Sequence, residues 1–101
     1  MDKIEIIRKL KDLKAELNEH TKLKRMYLFG SYAYNTQRKD SDIDIAIVVE
    51  KIEGDYLKYL SLIWSLSSKY DSRIEPVVFQ ENQPDHSGFF NTIQQTGIEI
   101  N

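Results

Sequence analysis

The chain has 101 residues, with 14 Lys and Arg, 16 Asp and Glu, and a formal net charge of −2. This length predicts a single domain over residues 1–101, and the slightly acidic balance argues against a dedicated nucleic-acid binder, which normally carries a basic surplus. The absence of cysteine excludes disulfides, thiolate metal sites and a cysteine nucleophile. No apolar run approaches the roughly 20 residues that span a bilayer, and the first residues are a charged amphipathic segment rather than a signal peptide. We therefore expect a cytoplasmic protein.

The N-terminal part of the sequence predicts a helix, a strand and a short turn. Residues 2–20 carry apolar side chains at three- and four-residue steps, as an amphipathic helix does. These side chains are Ile6 or Ile7, Leu10, Leu13 and Leu17. After a basic connector over residues 21–25, the first strand is predicted to begin at Arg25 or Met26 and to end at Phe29. Residues 31–34 are predicted to form a short helical turn.

The middle of the sequence predicts a second strand, a long helix and a third strand. Ile43–Val49 consists of Ile, Val and Ala after its second residue, a composition typical of a buried strand. Asp55 is suited to cap a helix that runs to about Tyr70. This helix is apolar around much of its circumference, and we expect Trp64 to lie in the core rather than to stack on a base. Residues 73–79 form the third predicted strand.

The C-terminal part predicts a last short helix that Asp85 caps and Gly97 ends, followed by a strand or tail over residues 98–100. The residues expected to face inward are Phe89, Phe90 and Ile93. The connection through the long helix has the length of a crossover between parallel strands. The element order therefore predicts an α/β (α+β) domain, with a small mixed sheet of three to four strands and helices packed against it.

Two carboxylates open the second strand. Because side chains alternate along a strand, Asp42 and Asp44 lie on the same face, where two like charges repel each other and resist desolvation. A divalent cation such as Mg²⁺ removes both penalties, since it takes carboxylate oxygens together with nucleotide phosphates. Upstream, Gly30 lets the backbone approach a phosphate, and the N–H groups of the turn that begins at Ser31 favour an anion. The residues predict a site for a metal-bound nucleoside triphosphate.

Three further charged residues are candidates with an ordinary alternative. Arg38 and Lys39 lie in the loop between the Gly-Ser turn and the carboxylates, where either could reach a triphosphate or simply face solvent. Glu75 is an acid inside an apolar strand, which asks for an explanation. The alternative is an edge strand, with Glu75 facing water and Pro76 blocking further pairing.

Gly30-Ser31, ten intervening residues and Asp42-x-Asp44 together resemble the signature of minimal nucleotidyltransferases in the DNA polymerase beta-like superfamily. The resemblance implies the polymerase-beta-like nucleotidyltransferase fold. It also implies transfer of a nucleoside monophosphate from ATP or another nucleoside triphosphate, with one or two Mg²⁺ ions as cofactors. A third carboxylate is implied on the strand after the long helix, where Glu75 is the only acid that fits. On this basis Asp42, Asp44 and Glu75 are the candidate catalytic and metal-binding residues.

The sequence departs from the family pattern at three positions. Asn35 stands where a second glycine is usual, and asparagine tolerates left-handed backbone better than most residues. Tyr32 and Tyr34 occupy positions where many members carry arginine. These departures, together with glutamate in place of aspartate at Glu75, keep open the alternative that the chain is a non-catalytic interaction module or antitoxin with the same fold.

The resemblance also bears on partners. Minimal members often pair with a small helical HEPN protein in toxin–antitoxin modules, which implies transfer of AMP to a tyrosine of that partner. The broad apolar surface of the long helix keeps a homo-oligomer open as well. We expect neither a membrane nor a nucleic acid as a partner.

A P-loop nucleotidase is excluded, because no Lys-Ser or Lys-Thr follows the glycine.

Overall fold

The computed structural model describes residues 3–83 and 87–101, and this part of the chain contains four helices and a four-stranded sheet. In chain order the elements are α1 (Lys3–Leu17), β1 (Leu23–Phe29), α2 (Ser31–Tyr34), β2 (Ile43–Val49), α3 (Tyr56–Tyr70), β3 (Ile74–Gln80), α4 (Phe89–Thr96) and β4 (Ile98–Glu99). The bounds of α2 and β2 are those predicted. The first helix ends at Leu17 rather than near His20, and β1 begins two residues before Arg25.

The strands follow the order β3-β2-β1-β4 across the sheet. β1 is antiparallel to both β2 and β4, whereas β2 and β3 are parallel. Parallel neighbours need a crossover connection, which α3 supplies. The predicted α/β class with a small mixed sheet and packed helices is confirmed, and β3 lies at one edge of that sheet.

The two faces of the sheet carry different helices. Alternate residues of β2 from Ile43 to Val49 belong to the larger core, which includes the buried residues of α1 and Ile63 of α3. The four apolar residues predicted for α1 (Ile6, Leu10, Leu13 and Leu17) are all buried. Ala46 and Val48 face the other way and pack with Ile93 of α4. Because burial of an aliphatic side chain contributes about 1.5–3 kcal/mol, both layers stabilise the sheet.

The long helix begins as predicted, but its outer side is less covered than expected. The Asp55 side chain accepts a hydrogen bond from the Lys58 N–H at 3.0 Å, which confirms it as the N-cap. The prediction that Trp64 lies in the core is wrong, since its exposed fraction is 45%. The helix buries only Ile63 and Ser67, because one sheet face and α1 cover a single side of it.

The last helix differs from its prediction at its first turn. It begins at Phe89 with Gly88 in the N-cap position, and Gly97 ends it as predicted. Asp85, the predicted cap, lies outside the described residues. Ile93 is buried, but Phe89 is 43% exposed, so the prediction that it faces inward is wrong. Within residues 3–83 and 87–101, no helix is long and apolar enough to cross a membrane.

Candidate active site

The predicted carboxylates gather at the end of the sheet where β2 begins. Asp44 is the register partner of Phe29 in β1 and of Glu75 in β3. Strand alternation puts Asp44 and Glu75 on the face that carries Ala46 and α4. Asp42 precedes β2 by one residue, and its charge acts on both other acids. The structure thus brings all three acids to one end of the sheet.

These acids repel one another. Burial raises the pKa of Asp44, and the neighbouring Asp42 raises it further. The pKa of the exposed Glu75 is raised first by the charge of Asp42, then by partial burial, and then by Asp44 and a hydrogen bond to Asp42. Two carboxyl groups share a hydrogen bond only when one of them is protonated. The site therefore favours a positive charge, either a proton or a cation.

Gly30 lies directly against Asp44. Its φ is +73°, and a Cβ at this position would clash with Asp44 Oδ2 and lie 3.3 Å from Asp44 Cγ. Only glycine meets both conditions without strain. Gly30 is the N-cap of α2, which begins at Ser31, and the first N–H groups of a helix have no partner within that helix. The Gly-Ser turn and the Asp44 carboxylate consequently face the same space.

Asn35 adopts the left-handed backbone conformation at the position where the family pattern usually has a second glycine. It ends α2 in the left-handed conformation with φ 60° and ψ 32°, and its backbone N–H donates to the Ser31 carbonyl. Lys3 Nζ donates to Asn35 Oδ1 at 3.0 Å. The interpretation that asparagine accommodates left-handed backbone here is confirmed, and this departure from the family pattern leaves the backbone of the turn intact.

Arg38 and Lys39 lie on the loop that leads into Asp42. Both are exposed, and neither forms an ion pair with a described carboxylate. The Arg38 N–H donates to Ser41 Oγ at 2.7 Å and the Ser41 N–H to the Arg38 carbonyl at 3.1 Å, which closes a turn. The structure places both cations beside the site but not in contact with its acids.

Arg73 is a residue near the site that sequence reasoning missed. Its Nε and Nη2 donate to the two carboxylate oxygens of Asp71 at 3.1 and 2.9 Å, and this pairing lowers the pKa of Asp71 to about 2. Its Nη1 donates to the Lys39 carbonyl at 3.0 Å and to Tyr32 Oη at 3.5 Å. Arg73 thereby connects the start of β3 to α2 and to the loop between α2 and β2. In the sequence, the only indication of this ion pair is an acid and an arginine two residues apart, Asp71 and Arg73, at the start of a predicted strand.

The chemistry of these acids fits Mg²⁺, although their arrangement is not a finished metal site. Within the described part of the chain, no three His, Cys, Asp or Glu side chains form a group that could hold a metal ion as they stand. Carboxylate oxygens are nevertheless the donors that Mg²⁺ prefers. A divalent cation would also relieve the repulsion among Asp42, Asp44 and Glu75. Side-chain rotation would be needed to complete the coordination.

A separate cleft lies far from these acids. Its volume is about 620 Å³, and it opens where α1 ends and α3 begins, at the opposite end of β2. Tyr59 and Leu62 line it together with charges of both signs, including Glu50 and Lys58. Acidic and basic side chains are mixed in its lining, rather than acids alone, so the carboxylate end of the sheet is the stronger candidate for chemistry.

Comparison with known proteins assigns the family. A family model described as "Polymerase beta, Nucleotidyltransferase" matches residues 11–101. The chain belongs to this nucleotidyltransferase family. The nucleotidyltransferase is 31% identical over 103 residues to a protein of Methanocaldococcus jannaschii provisionally named a protein adenylyltransferase, and the alignment covers 99% of this chain and 100% of the relative. It is 39% identical over 56 residues to the protein adenylyltransferase MntA of Shewanella oneidensis, over 55% of this chain and 40% of MntA.

Two solved structures resemble the nucleotidyltransferase. A structure described as a toxin–antitoxin with AMP-PNP aligns with a TM-score of 0.65 and 27% identity, over 89% of this chain and 71% of the other. A structure from Sulfolobus solfataricus that is provisionally described as a nucleotidyltransferase aligns with a TM-score of 0.64 over 95% of this chain and 79% of the other. At 20% identity the second supports the fold alone. The predicted family, fold and enzyme class are confirmed.

Proposed function

We propose that this nucleotidyltransferase transfers AMP from ATP to a hydroxyl group and releases pyrophosphate. The observation that carries the proposal is the position of Asp44, which lies against Gly30 on one side and beside Glu75 on the other. A nucleotide phosphate would bind on the Gly30 side of Asp44, and the acceptor oxygen would approach on the Glu75 side. The names of the relatives as protein adenylyltransferases and the AMP-PNP of the neighbouring structure support adenosine as the nucleoside.

Asp42, Asp44 and Glu75 would hold one or two Mg²⁺ ions. When bound, Mg²⁺ neutralises phosphate charge and stabilises the negative charge that develops on the attacking and leaving oxygens. The outer phosphates would lie at Gly30 and Ser31, where the glycine leaves room for close approach and the helix start offers N–H donors. Arg38 and Lys39 are exposed on the adjoining loop and would balance the remaining phosphate charge.

The reaction forms a bond between the acceptor oxygen and the α-phosphorus and breaks the bond from that phosphorus to the bridging oxygen. Pyrophosphate carries away the electron pair, and the acceptor hydroxyl loses its proton. We assign proton removal to Glu75, because it is the acid exposed at the sheet edge, where an acceptor hydroxyl could come within hydrogen-bond reach of a general base.

The acceptor we propose is a tyrosine of a HEPN-type helical partner. The neighbouring structure described as a toxin–antitoxin supports a protein partner. Tyr56, Leu57 and Trp64 on the outer side of α3 are 56%, 73% and 45% exposed. Large exposed apolar groups that cluster on a surface mark interfaces, so this side of α3 is the contact we propose for the partner or for a second copy of the chain.

The same exposed side of α3 favours one alternative function, a non-catalytic interaction module or antitoxin. In that case the partner would be neutralised by contact alone. The carboxylates would then carry no reaction, and transfer of AMP would be absent with every acceptor.

The proposal predicts a difference between two labels on ATP. The chain is incubated with Mg²⁺ and with a HEPN-type helical protein as acceptor, using ATP labelled either at the α-phosphate or at the γ-phosphate. We expect the α-label to appear on the acceptor protein and the γ-label to leave as pyrophosphate, since nucleotidyl transfer breaks the bond between the α- and β-phosphates. EDTA should prevent labelling.

Two results would contradict the proposal. Acceptor labelled from γ-phosphate would indicate a kinase instead. An acceptor that binds tightly but takes neither label would support the interaction module.

A further inference from the structure

An aromatic cluster lies on the same sheet face as the carboxylates. The Phe89 ring of α4 packs edge-on against Phe29 of β1, with centroids 5.6 Å apart and planes at 82°, and lies 6.1 Å from the ring of Phe79. Phe79 in turn lies 4.9 Å from Phe90. Phe29, Phe79 and Phe90 are partly buried, whereas Phe89 is 43% exposed. Phe89 is thus the member of the cluster that offers a ring surface to solvent.

The cluster adjoins the carboxylates through Phe29. Phe29 and Asp44 are register partners in the antiparallel pair of β1 and β2, and such partners have Cβ atoms about 4.5–5.5 Å apart on one face. Phe89 packs against Phe29 and also contacts Phe79 of β3, the register partner of Val48, so its ring lies above β2, the strand that carries Asp44. Ala46, two residues further along β2 on this face, is small enough to leave room for rings above the sheet.

The position of the cluster favours the nucleotide over the acceptor. Phe29 directly precedes Gly30, the glycine that lies against the Asp44 carboxylate. Phe29, which contacts Phe89, and the proposed phosphate turn are therefore adjacent along the chain. Glu75, the proposed acceptor-side residue, lies across Asp44 on β3. In the proposed site the outer phosphates lie at the turn and the α-phosphate lies near Asp44, so the base, which is attached on the α-phosphate side, would lie beyond Asp44 along β2, within reach of Phe89.

We propose that Phe89, supported by Phe29, is the stacking surface for the nucleobase of the bound nucleoside triphosphate. This inference rests on the proposed function. Stacking of a base on an aromatic ring is worth about ten- to a hundredfold in affinity, and it tolerates different bases because each base has a π-face. The site should accordingly bind ATP more tightly than it binds the triphosphate group without a base.

Titration calorimetry with two ligands tests the inference. Mg-ATP and Mg-tripolyphosphate are titrated into the wild type, Phe89→Leu and Phe89→Trp. Leucine keeps the bulk but removes the ring, so we expect Phe89→Leu to bind Mg-ATP about tenfold more weakly and Mg-tripolyphosphate as the wild type does. Phe89→Trp should retain Mg-ATP affinity. The control is Leu62→Ala, a partly exposed apolar side chain of α3 at the separate cleft on the other side of the sheet, which should change neither affinity.

The outcomes separate this inference from the proposed function. Unchanged Mg-ATP affinity in Phe89→Leu would overturn the stacking role, as would an equal loss for ATP and tripolyphosphate, since the ring would then act through the fold of the site. A wild type that binds neither ligand would instead count against the nucleotide site itself. An unfolding midpoint for Phe89→Leu close to that of the wild type confirms that the variant is folded.

Discussion

Replacing Asp44 with asparagine is expected to abolish AMP transfer while leaving the chain folded. Asp44 lies against Gly30 and next to Glu75, so loss of its charge removes the acid common to both sides of the site. Metal ions supply several kcal/mol of transition-state stabilisation, and we expect at least about a thousandfold loss of transfer rate. The rate is measured from the appearance of α-labelled AMP on the acceptor.

Stability and a neighbouring acid provide the controls for Asp44→Asn. The pKa of Asp44 is raised in the fold, mainly by burial, so its ionised form destabilises the metal-free protein at neutral pH. The variant should therefore unfold at the same or a higher temperature than the wild type without metal. Asp40→Asn changes an exposed acid of the same loop and should keep full activity. An active Asp44→Asn protein would remove this residue from the proposed site.

Glu75→Gln is expected to lower the rate of AMP transfer nearly as far as Asp44→Asn does, since it removes both a proposed metal ligand and the proposed base. Glutamine keeps the size of the side chain, and Glu75 is exposed at the sheet edge, so the fold should persist. The measurement is again the labelling rate, taken together with the unfolding midpoint in Mg²⁺ and in EDTA. A variant that labels the acceptor at the wild-type rate would exclude Glu75 from the reaction.

Glu75→Gln is expected to change how the free energy of unfolding depends on pH, in a direction that the pKa of Glu75 determines. The folded-state pKa of Glu75 lies above its ordinary value because of Asp42 and Asp44. In the metal-free wild type the free energy of unfolding should thus fall as the pH rises through the interval between the unfolded and folded pKa values. Glu75→Gln should remove that fall. Mg²⁺ should stabilise the wild type more at neutral than at acidic pH, and this difference should shrink in the variant.

The parts of the fold that follow from local pattern were predictable from the sequence. Ile43–Val49 forms β2 over the predicted range, because the continuous apolar run from Ile45 to Val49 lies between two acids and has few other structures available. Strand alternation predicts that Asp42 and Asp44 share one face, and in the structure Asp42 lies one residue before β2, with its charge acting on Asp44. Asp55 caps α3 because a short acceptor side chain before an apolar helix satisfies its first N–H groups.

The parts that depend on contacts between distant segments were not predictable in the same way. Hydrophobicity predicted burial for Trp64 and Phe89, but the structure leaves both substantially exposed, because burial depends on which side of a helix another element covers. The beginning of β1 was missed since Lys24 and Arg25 are charged and exposed, and so resemble a connector.

Arg73 shows a further limit of local reasoning. Its guanidinium joins Asp71, Tyr32 and the Lys39 carbonyl, three groups from separate segments that only the folded sheet brings together. Tyr32, at a position where family members often carry arginine, is 1% exposed. Its side chain packs within the core and contacts Arg73 at the start of β3, a relation that no spacing along the chain indicates.

The central claim is that Asp42 and Asp44, together with the Gly30-Ser31 turn, bind a nucleoside triphosphate through Mg²⁺. Calorimetric titration of ATP into the wild type with Mg²⁺, into the wild type with EDTA, and into the double variant Asp42→Asn/Asp44→Asn tests it most directly. We predict binding only in the first of these three titrations, because both the ion and the acids that hold it are required. Equal ATP affinity with Mg²⁺ and with EDTA would contradict the claim.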